Sequence, residues 1–293
     1  MLRDSKIWVA VTAYNPLDRA ECLLSALEQY VEYEASVDVT IYVNDEAQDD
    51  VDQLEQLLDA LRPKLNIKVK VAGPEYSGWA LTWAHKTDLV LACMNYKYDY
   101  YIYQENDMLL TWENFKYWVR WRPRLAAYGL EPGFIRYEDL EGEKIPFDNH
   151  YKYKLTGTTP NVWSDRGFDV PVILVIDHEI EFFVQVANPY YGAMILDSPG
   201  AVKYVKSWSM DPQASCFLVS YRNWPLADRS SMGLAFENVP KPYEHTRCVA
   251  VASKDHHYVP YAGSLIEHKD TKYSTQLAAK SEPLITCNTM FEV

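Results

Sequence analysis

Over the first 110 residues, short apolar β-rich runs alternate with segments whose apolar residues recur at helical spacing, which leaves few folds open. Residues 7–13, Ile-Trp-Val-Ala-Val-Thr-Ala, are apolar almost throughout, as a strand covered on both faces must be. Asn15-Pro16 breaks this run. Leu23, Leu24, Leu27 and Val31 then mark a helix within 18–33, and residues 37–43 read as a second strand. A helix over 49–65 puts Val51, Leu54, Leu57, Leu58 and Leu61 on one face, with acidic residues early, where the helix dipole favours them. A third strand over 67–72 stops at Gly73-Pro74. A helix over 78–95, a fourth strand over 98–103, a helix over 112–127 and a short strand over 133–137 complete the series. The fold expected is α/β, a mostly parallel central sheet with helices on both faces.

The second half is patterned differently. Residues 172–176 and 182–186 are β-like runs between polar turns. Residues 193–196 suggest another strand, 200–207 a helix after Ser198-Pro199, and 228–236 a further helix. The tail from 258 has no strong periodicity, and neither an internal repeat nor an obvious linker is present. One domain over 1–293 is expected, with a ligand-binding half over 1–110 and a second half over 111–293.

Charge narrows the partners. Lys and Arg number 28 against 41 Asp and Glu, a formal net charge of −13, which argues against a nucleic-acid coat and against adhesion to anionic membranes. No segment approaches the roughly 20 apolar residues that span a bilayer. The polar start Met1 to Lys6 leaves no room for a secretion signal, and five scattered cysteines form neither a metal motif nor a disulfide framework, so a cytoplasmic location is expected.

The most informative stretch comes after the fourth strand: Gln104-Glu105-Asn106-Asp107. In open α/β sheets, ligands bind beyond the carboxyl ends of the strands. Two carboxylates at i and i+2 there are hard oxygen ligands for Mg²⁺ or Mn²⁺, which bridge phosphate oxygens. An acidic pair after a strand also serves as a solvated turn, with Asp107 helping to cap the next element.

With the first strand ending in Thr12-Ala13-Tyr14-Asn15-Pro16 and the second in Tyr42-Val43-Asn44-Asp45-Glu46, the layout resembles the GT-A glycosyltransferases. Their short acidic motif, usually Asp-x-Asp, follows the fourth strand and holds a divalent metal against the donor diphosphate. Glu105-Asn106-Asp107 stands there with Glu in the first position. The resemblance implies Asp107 as metal ligand, with Glu105 on the metal, the ribose or a metal-bound water. It implies Ala13, Tyr14, Asn15 and Asp45 around the nucleoside. It also matches the late segment Gly263 to Tyr273, with His268 as a further metal ligand and Lys269 or Lys272 on the diphosphate. His256-His257 is a rival ligand source, of which at most one serves, because neighbours on a strand point to opposite faces.

An inverting transfer needs a base for the attacking hydroxyl. The candidates are Asp228, Glu237, Asp177 and Glu179, and Asp228 is favoured because it sits beside Trp224 ahead of a helix, as acceptor-side acids of the family do. Asn188 to Met194 resembles the stretch that runs under the donor sugar, where Gly192 would let backbone approach a ligand. Of the 9 Trp, 23 Tyr and 9 Phe, Trp118 and Trp121 read as core, and Trp79, Tyr190, Tyr191 and Trp224 as faces for sugar rings.

The resemblance therefore implies a GT-A (Rossmann-like) fold with a smaller mixed acceptor-side subregion. The activity it implies is a Mn²⁺- or Mg²⁺-dependent transfer from a nucleoside diphosphate sugar, a UDP-sugar by preference, to a glycan or small hydroxyl acceptor. A sugar-nucleotide-forming nucleotidyltransferase needs a Gly-rich basic loop after the first strand, and Thr12 to Pro16 has no Gly. A noncatalytic carbohydrate-binding protein would use the same aromatic faces. G-x-G-x-x-G, G-x-x-x-x-G-K-[ST] and G-x-S-x-G are all absent.

Overall fold

A computed structural model describes residues 2–44, 50–150, 153–154, 161–164, 167–169, 171–176, 179–218, 224–254, 257–280 and 284–292. In chain order its main elements begin with β1 (Lys6–Ala13), α1 (Ala20–Val31), β2 (Ser36–Val43), α2 (Val51–Leu58) and β3 (Asn66–Val71). Next come α3 (Lys86–Met94), β4 (Tyr100–Glu105), α4 (Trp112–Ala126), β5 (Ile135–Leu140) and β6 (Glu143–Ile145). After these are β7 (Pro171–Ile176), β8 (Glu179–Val184), β9 (Ala193–Asp197), α5 (Ser198–Tyr204) and α6 (Leu226–Ser231). The last are β10 (Arg247–Lys254), β11 (His257–Pro260), β12 (Leu265–His268) and α7 (Lys272–Ala278). These pack as two compact units: Met1–Trp112 with Gly192–Glu237, and Glu113–Tyr191 with Asn238–Val293.

The first unit is a Rossmann-like α/β layer. Its five-stranded sheet has the order β9-β4-β1-β2-β3. β1 to β4 are mutually parallel, and β9 runs antiparallel on the β4 edge. Every residue from Ile7 to Ala13 is buried, as expected for a central strand covered on both faces. α1 lies on one face through Leu23, Ala26, Leu27 and Tyr30, and the Tyr30 hydroxyl donates to Gln104 Oε1 at 2.5 Å. On the other face Trp8, Ala10, Tyr101, Tyr103, Met194 and Leu196 pack with Leu89 and Cys93 of α3 and with Ala201 and Tyr204 of α5.

Three expected helices are shorter than their apolar spacing suggests. Residues 78–95 divide into a 3₁₀ turn, Gly78–Trp83, and α3. Gly78 sits at φ +55, and the Thr82 hydroxyl takes the Trp79 carbonyl at 3.0 Å, so an α-helix does not start here. The helix expected over 49–65 ends at Leu58, and the chain continues through turns to Lys64. The one expected over 228–236 starts earlier, after Pro225, and stops before Gly233, whose φ is +58.

The second unit is mixed. β7, β8, β10 and β11 form an antiparallel run, and β5 pairs parallel with β12 and antiparallel with β6. Trp118 and Trp121 of α4 are buried core, as their spacing suggests; Trp121 meets Phe183 edge to face at 5.2 Å. His245 is buried between Gln185 and the Val186 carbonyl, 2.9 Å from its Nε2. Burial pushes its imidazole down to about 4. An unfolded chain protonates this ring near pH 6.5 and the folded one only near 4, so the stability it holds above pH 6.5 drains away as pH falls towards 4. Between pH 7 and 4 the protein should lose about 3 kcal/mol more stability than its His245→Gln variant. Urea unfolding at both pH values measures this, and equal losses would contradict it.

Candidate active site at the carboxyl ends of the parallel strands

β1 has β2 on one side and β4 on the other, so the chain order of the sheet reverses between β1 and β4. Such a switch point opens a crevice beyond the strand ends, where α/β proteins bind ligands. The acidic motif lies at this place. Glu105, the last residue of β4, pairs with Thr12, and the Asn106 N–H donates to the Thr12 carbonyl at 3.1 Å. On the other side the Glu105 N–H donates to the Gly192 carbonyl at 3.0 Å. Buried Gln104 fixes the turn from beneath, because its Nε2 donates to the Met108 carbonyl at 3.2 Å. Glu105 is half-buried; Asn106 and Asp107 are buried. Asp107 Oδ2 receives Arg19 Nη1 at 3.0 Å.

The end of β1 is held just as firmly. Asn15 lies in the left-handed region at φ +44, which Asn tolerates better than most residues. Its N–H donates to Asn44 Oδ1 at 2.8 Å, and Asn44 Nδ2 donates back to Asn15 Oδ1 at 3.0 Å. This reciprocal pair locks the β1 and β2 ends together and leaves Tyr14 between them 47% exposed, with Ala13 buried beneath. Asp45 lies outside the described residues, as do Asp177 and His256. Trp79, after β3, is 78% exposed.

Two expectations about aromatic faces and glycine change. Tyr190 and Tyr191 are buried, under the guanidinium groups of Arg136 and Arg247 at 4.5 and 4.2 Å, so neither offers an open face to a sugar. Gly192 has φ +63, and a Cβ there would lie 2.8 Å from Met108 Cγ. Glycine is therefore required by its own backbone and by Met108.

The sequence reading missed His85 and Lys86, which lie side by side within the expected helix 78–95. Fully buried His85 stacks on Tyr103 at 4.2 Å, and burial, with Lys86 beside it, holds its imidazole well below the usual range and hence neutral. Burial, and next the Glu105 carboxylate, keeps the Tyr103 phenol protonated. Lys86 Nζ donates to Ser230 O at 2.7 Å and to the Tyr204 hydroxyl at 2.5 Å, among the rings of Trp83, Tyr103 and Tyr204. Trp83 Nε1 donates to Leu226 O at 2.9 Å. Two side chains thus hold α6 by its carbonyls, and α6 carries Asp228 in its first turn. Asp228 is half-buried and does not cap the helix, since Pro225 stands at the N-cap. Glu237 Oε1 accepts from both the N–H and the hydroxyl of Ser209, at 2.9 and 2.8 Å, which anchors the turn after α5.

Burial pushes the Lys86 ammonium well below its ordinary 10.5. Between its folded pKa and 10.5 the unfolded chain binds more protons, so its contribution to stability rises with pH and is complete above 10.5. Relative to Lys86→Met, the protein should gain about 1.4 kcal/mol per pH unit through that window. Denaturant unfolding at pH values approaching 10.5 from below measures the difference, and parallel curves would contradict it.

In the second unit His268 is buried with Nδ1 2.9 Å from Glu138 Oε1, and it makes the same distance to the Asp270 carbonyl. Glu138 is fully buried and also accepts the Ser274 N–H at 2.6 Å, at the start of α7. Burial alone would raise this carboxyl; hydrogen bonds from His268 and Ser274 outweigh it and hold the group below its ordinary value. A histidine whose Nδ1–H rests on a carboxylate is oriented as metal-ligating histidines are, with Nε2 as the ligating nitrogen. Lys269 and Lys272 are exposed, and the Lys272 ammonium lies 5.6 Å over the Tyr273 ring. Among the described residues no three His, Cys, Asp or Glu side chains converge where they could hold a metal ion. No described helix is long and apolar enough to cross a membrane.

No protein-family model matches the chain, and no curated protein does. Solved structures similar to it include TarS from S. aureus, 14% identical over 68% of this chain and 29% of that one, with a TM-score of 0.34. TarS 1–349 in complex with UDP-GlcNAc is 18% identical over 68% and 47% of the two chains, with a TM-score of 0.29. The bifunctional glycosyltransferase WbbM, in its apo structure, is 12% identical over 80% and 38%, with a TM-score of 0.38. The chain spans less than half the length of each of these proteins.

Proposed function

We propose that this protein is a glycosyltransferase that takes a sugar from a nucleoside diphosphate sugar, a UDP-sugar by preference, and passes it to a hydroxyl of a glycan or small acceptor. The observation that carries this reading is the delivery of Glu105 and Asp107 by the end of β4 to the switch point beside β1. In it, Tyr14 and Asn15 line the nucleoside over buried Ala13, and Asp45 completes that side. Tyr14 and Trp79 supply the exposed aromatic faces.

A divalent cation, Mn²⁺ or Mg²⁺, fits the donor set. Such ions are held by one or two carboxylates together with substrate phosphates rather than by an all-protein cage. Buried Asp107, already against a cationic group, with Glu105 two residues before it, supplies hard oxygens of that kind. When bound, the ion neutralises negative charge developing on the leaving diphosphate. Asp228 takes the proton of the attacking hydroxyl, and Glu237 is the second candidate for that role.

A panel of UDP-sugars, scored for hydrolysis with Mn²⁺ and with EDTA, tests the reading. At least one donor should be hydrolysed only with the metal. A chain that binds glycans but neither binds nor hydrolyses any nucleotide sugar would refute it.

A further inference from the structure

The contact between Arg19 and Asp107 bears on how the proposed site is loaded. Asp107 is a nearly buried carboxylate, 9% exposed at its side chain, and a carboxylate so placed is costly without a positive partner. Arg19 is that partner, at 3.0 Å, and its own side chain is 37% exposed. It stands immediately before α1, five residues after Tyr14, so it belongs to the loop that leaves β1 at the switch point. Its guanidinium therefore has solvent on one side and the acidic motif on the other.

We propose that Arg19 occupies the cation's place against Asp107 in the free protein, and that Asp107 exchanges it for the divalent ion only when a diphosphate arrives to accept the guanidinium. The exchange rests on the proposed role of Asp107 as a metal ligand. The charges require the order. A dication arriving alone must displace Arg19 from Asp107 and leave two positive groups side by side. A nucleoside diphosphate brings anionic oxygens enough for both, and guanidinium donors match them in pairs. Metal and nucleotide then strengthen each other's binding by the same factor.

The test is Mn²⁺ binding to the full chain by electron paramagnetic resonance and calorimetry, with Mn²⁺ alone and with saturating UDP. UDP should tighten Mn²⁺ roughly 100-fold, near the upper end of ordinary coupling. In Arg19→Gln, Mn²⁺ alone should bind roughly tenfold tighter than in the unaltered protein, and the coupling to UDP should shrink by as much. Arg19→Lys keeps the charge and should keep most of the coupling. Mn²⁺ that binds the unaltered protein equally well with and without UDP would overturn the exchange, whether or not Arg19→Gln folds. So would an Arg19→Gln protein with Mn²⁺ affinity unchanged or weaker. Asp107→Asn separates the two ideas: Mn²⁺ binding that survives it removes Asp107 from the metal site, whereas loss there with no effect at Arg19 removes the exchange alone.

Discussion

Asp107→Asn should lower metal-dependent transfer from the donor by about 10³-fold or more, with the fold retained. Stabilising charge on a leaving diphosphate is worth several kcal/mol, and each 1.4 kcal/mol is a factor of ten. Asn keeps the size of Asp and its contact with solvent, and removes the anionic oxygen. The backbone of the turn does not depend on that carboxylate, because the Asn106 N–H rests on Thr12 O and Gln104 holds Met108 O. Arg19 loses its ion pair with Asp107, and since its side chain is 37% exposed the cost is about 1 kcal/mol, a melting point lower by a few degrees. Steady-state kinetics at saturating Mn²⁺, together with thermal melting, separates loss of catalysis from loss of fold. Activity within a few-fold of the unaltered protein would remove Asp107 from the metal site.

Asp228→Asn should lower kcat by about 10²- to 10⁴-fold, the ordinary worth of a positioned base. UDP binding should not change, because none of the residues assigned to the nucleotide lies on α6. The α6 backbone should persist as well, since Trp83 and Lys86 grip its carbonyls. Glu237→Gln is the informative companion. Glu237 binds the N–H and hydroxyl of Ser209, and an amide oxygen can still accept from them, so activity should fall little. Full activity in Asp228→Asn with collapse in Glu237→Gln would transfer the base role to Glu237.

Much of the first unit was legible because its signals are local. A run such as Ile7 to Ala13 can only be satisfied by burial on both faces, and the four parallel strands fall within two or three residues of where their apolar runs put them. The acidic motif was legible for the same reason, since the end of a strand fixes the place of the residues just beyond it. The pieces that escaped depend on contacts far apart in sequence. Lys86 looks like a solvated helix residue until Ser230 and Tyr204, more than 110 positions later, close over it. The grip on α6 was invisible for that reason. Gly192 reads as room for a ligand; only the Met108 side chain shows what fills that space. Tyr190 and Tyr191 look like faces for sugars because composition records aromatic rings and not burial. Arg19 was passed over because one arginine before a helix carries no pattern, and its meaning comes from Asp107, 88 residues on.

The central claim is that the switch point between β1 and β4 is a nucleoside-diphosphate site completed by a divalent cation. Calorimetric titration of UDP into the protein, once with Mn²⁺ and once with EDTA, tests it most directly. The account predicts saturable one-to-one binding with Mn²⁺, weakened by at least about tenfold in EDTA and lost with Asp107→Asn. Nucleotide binding indifferent to both the metal and Asp107, or no binding of UDP under either condition, would contradict it.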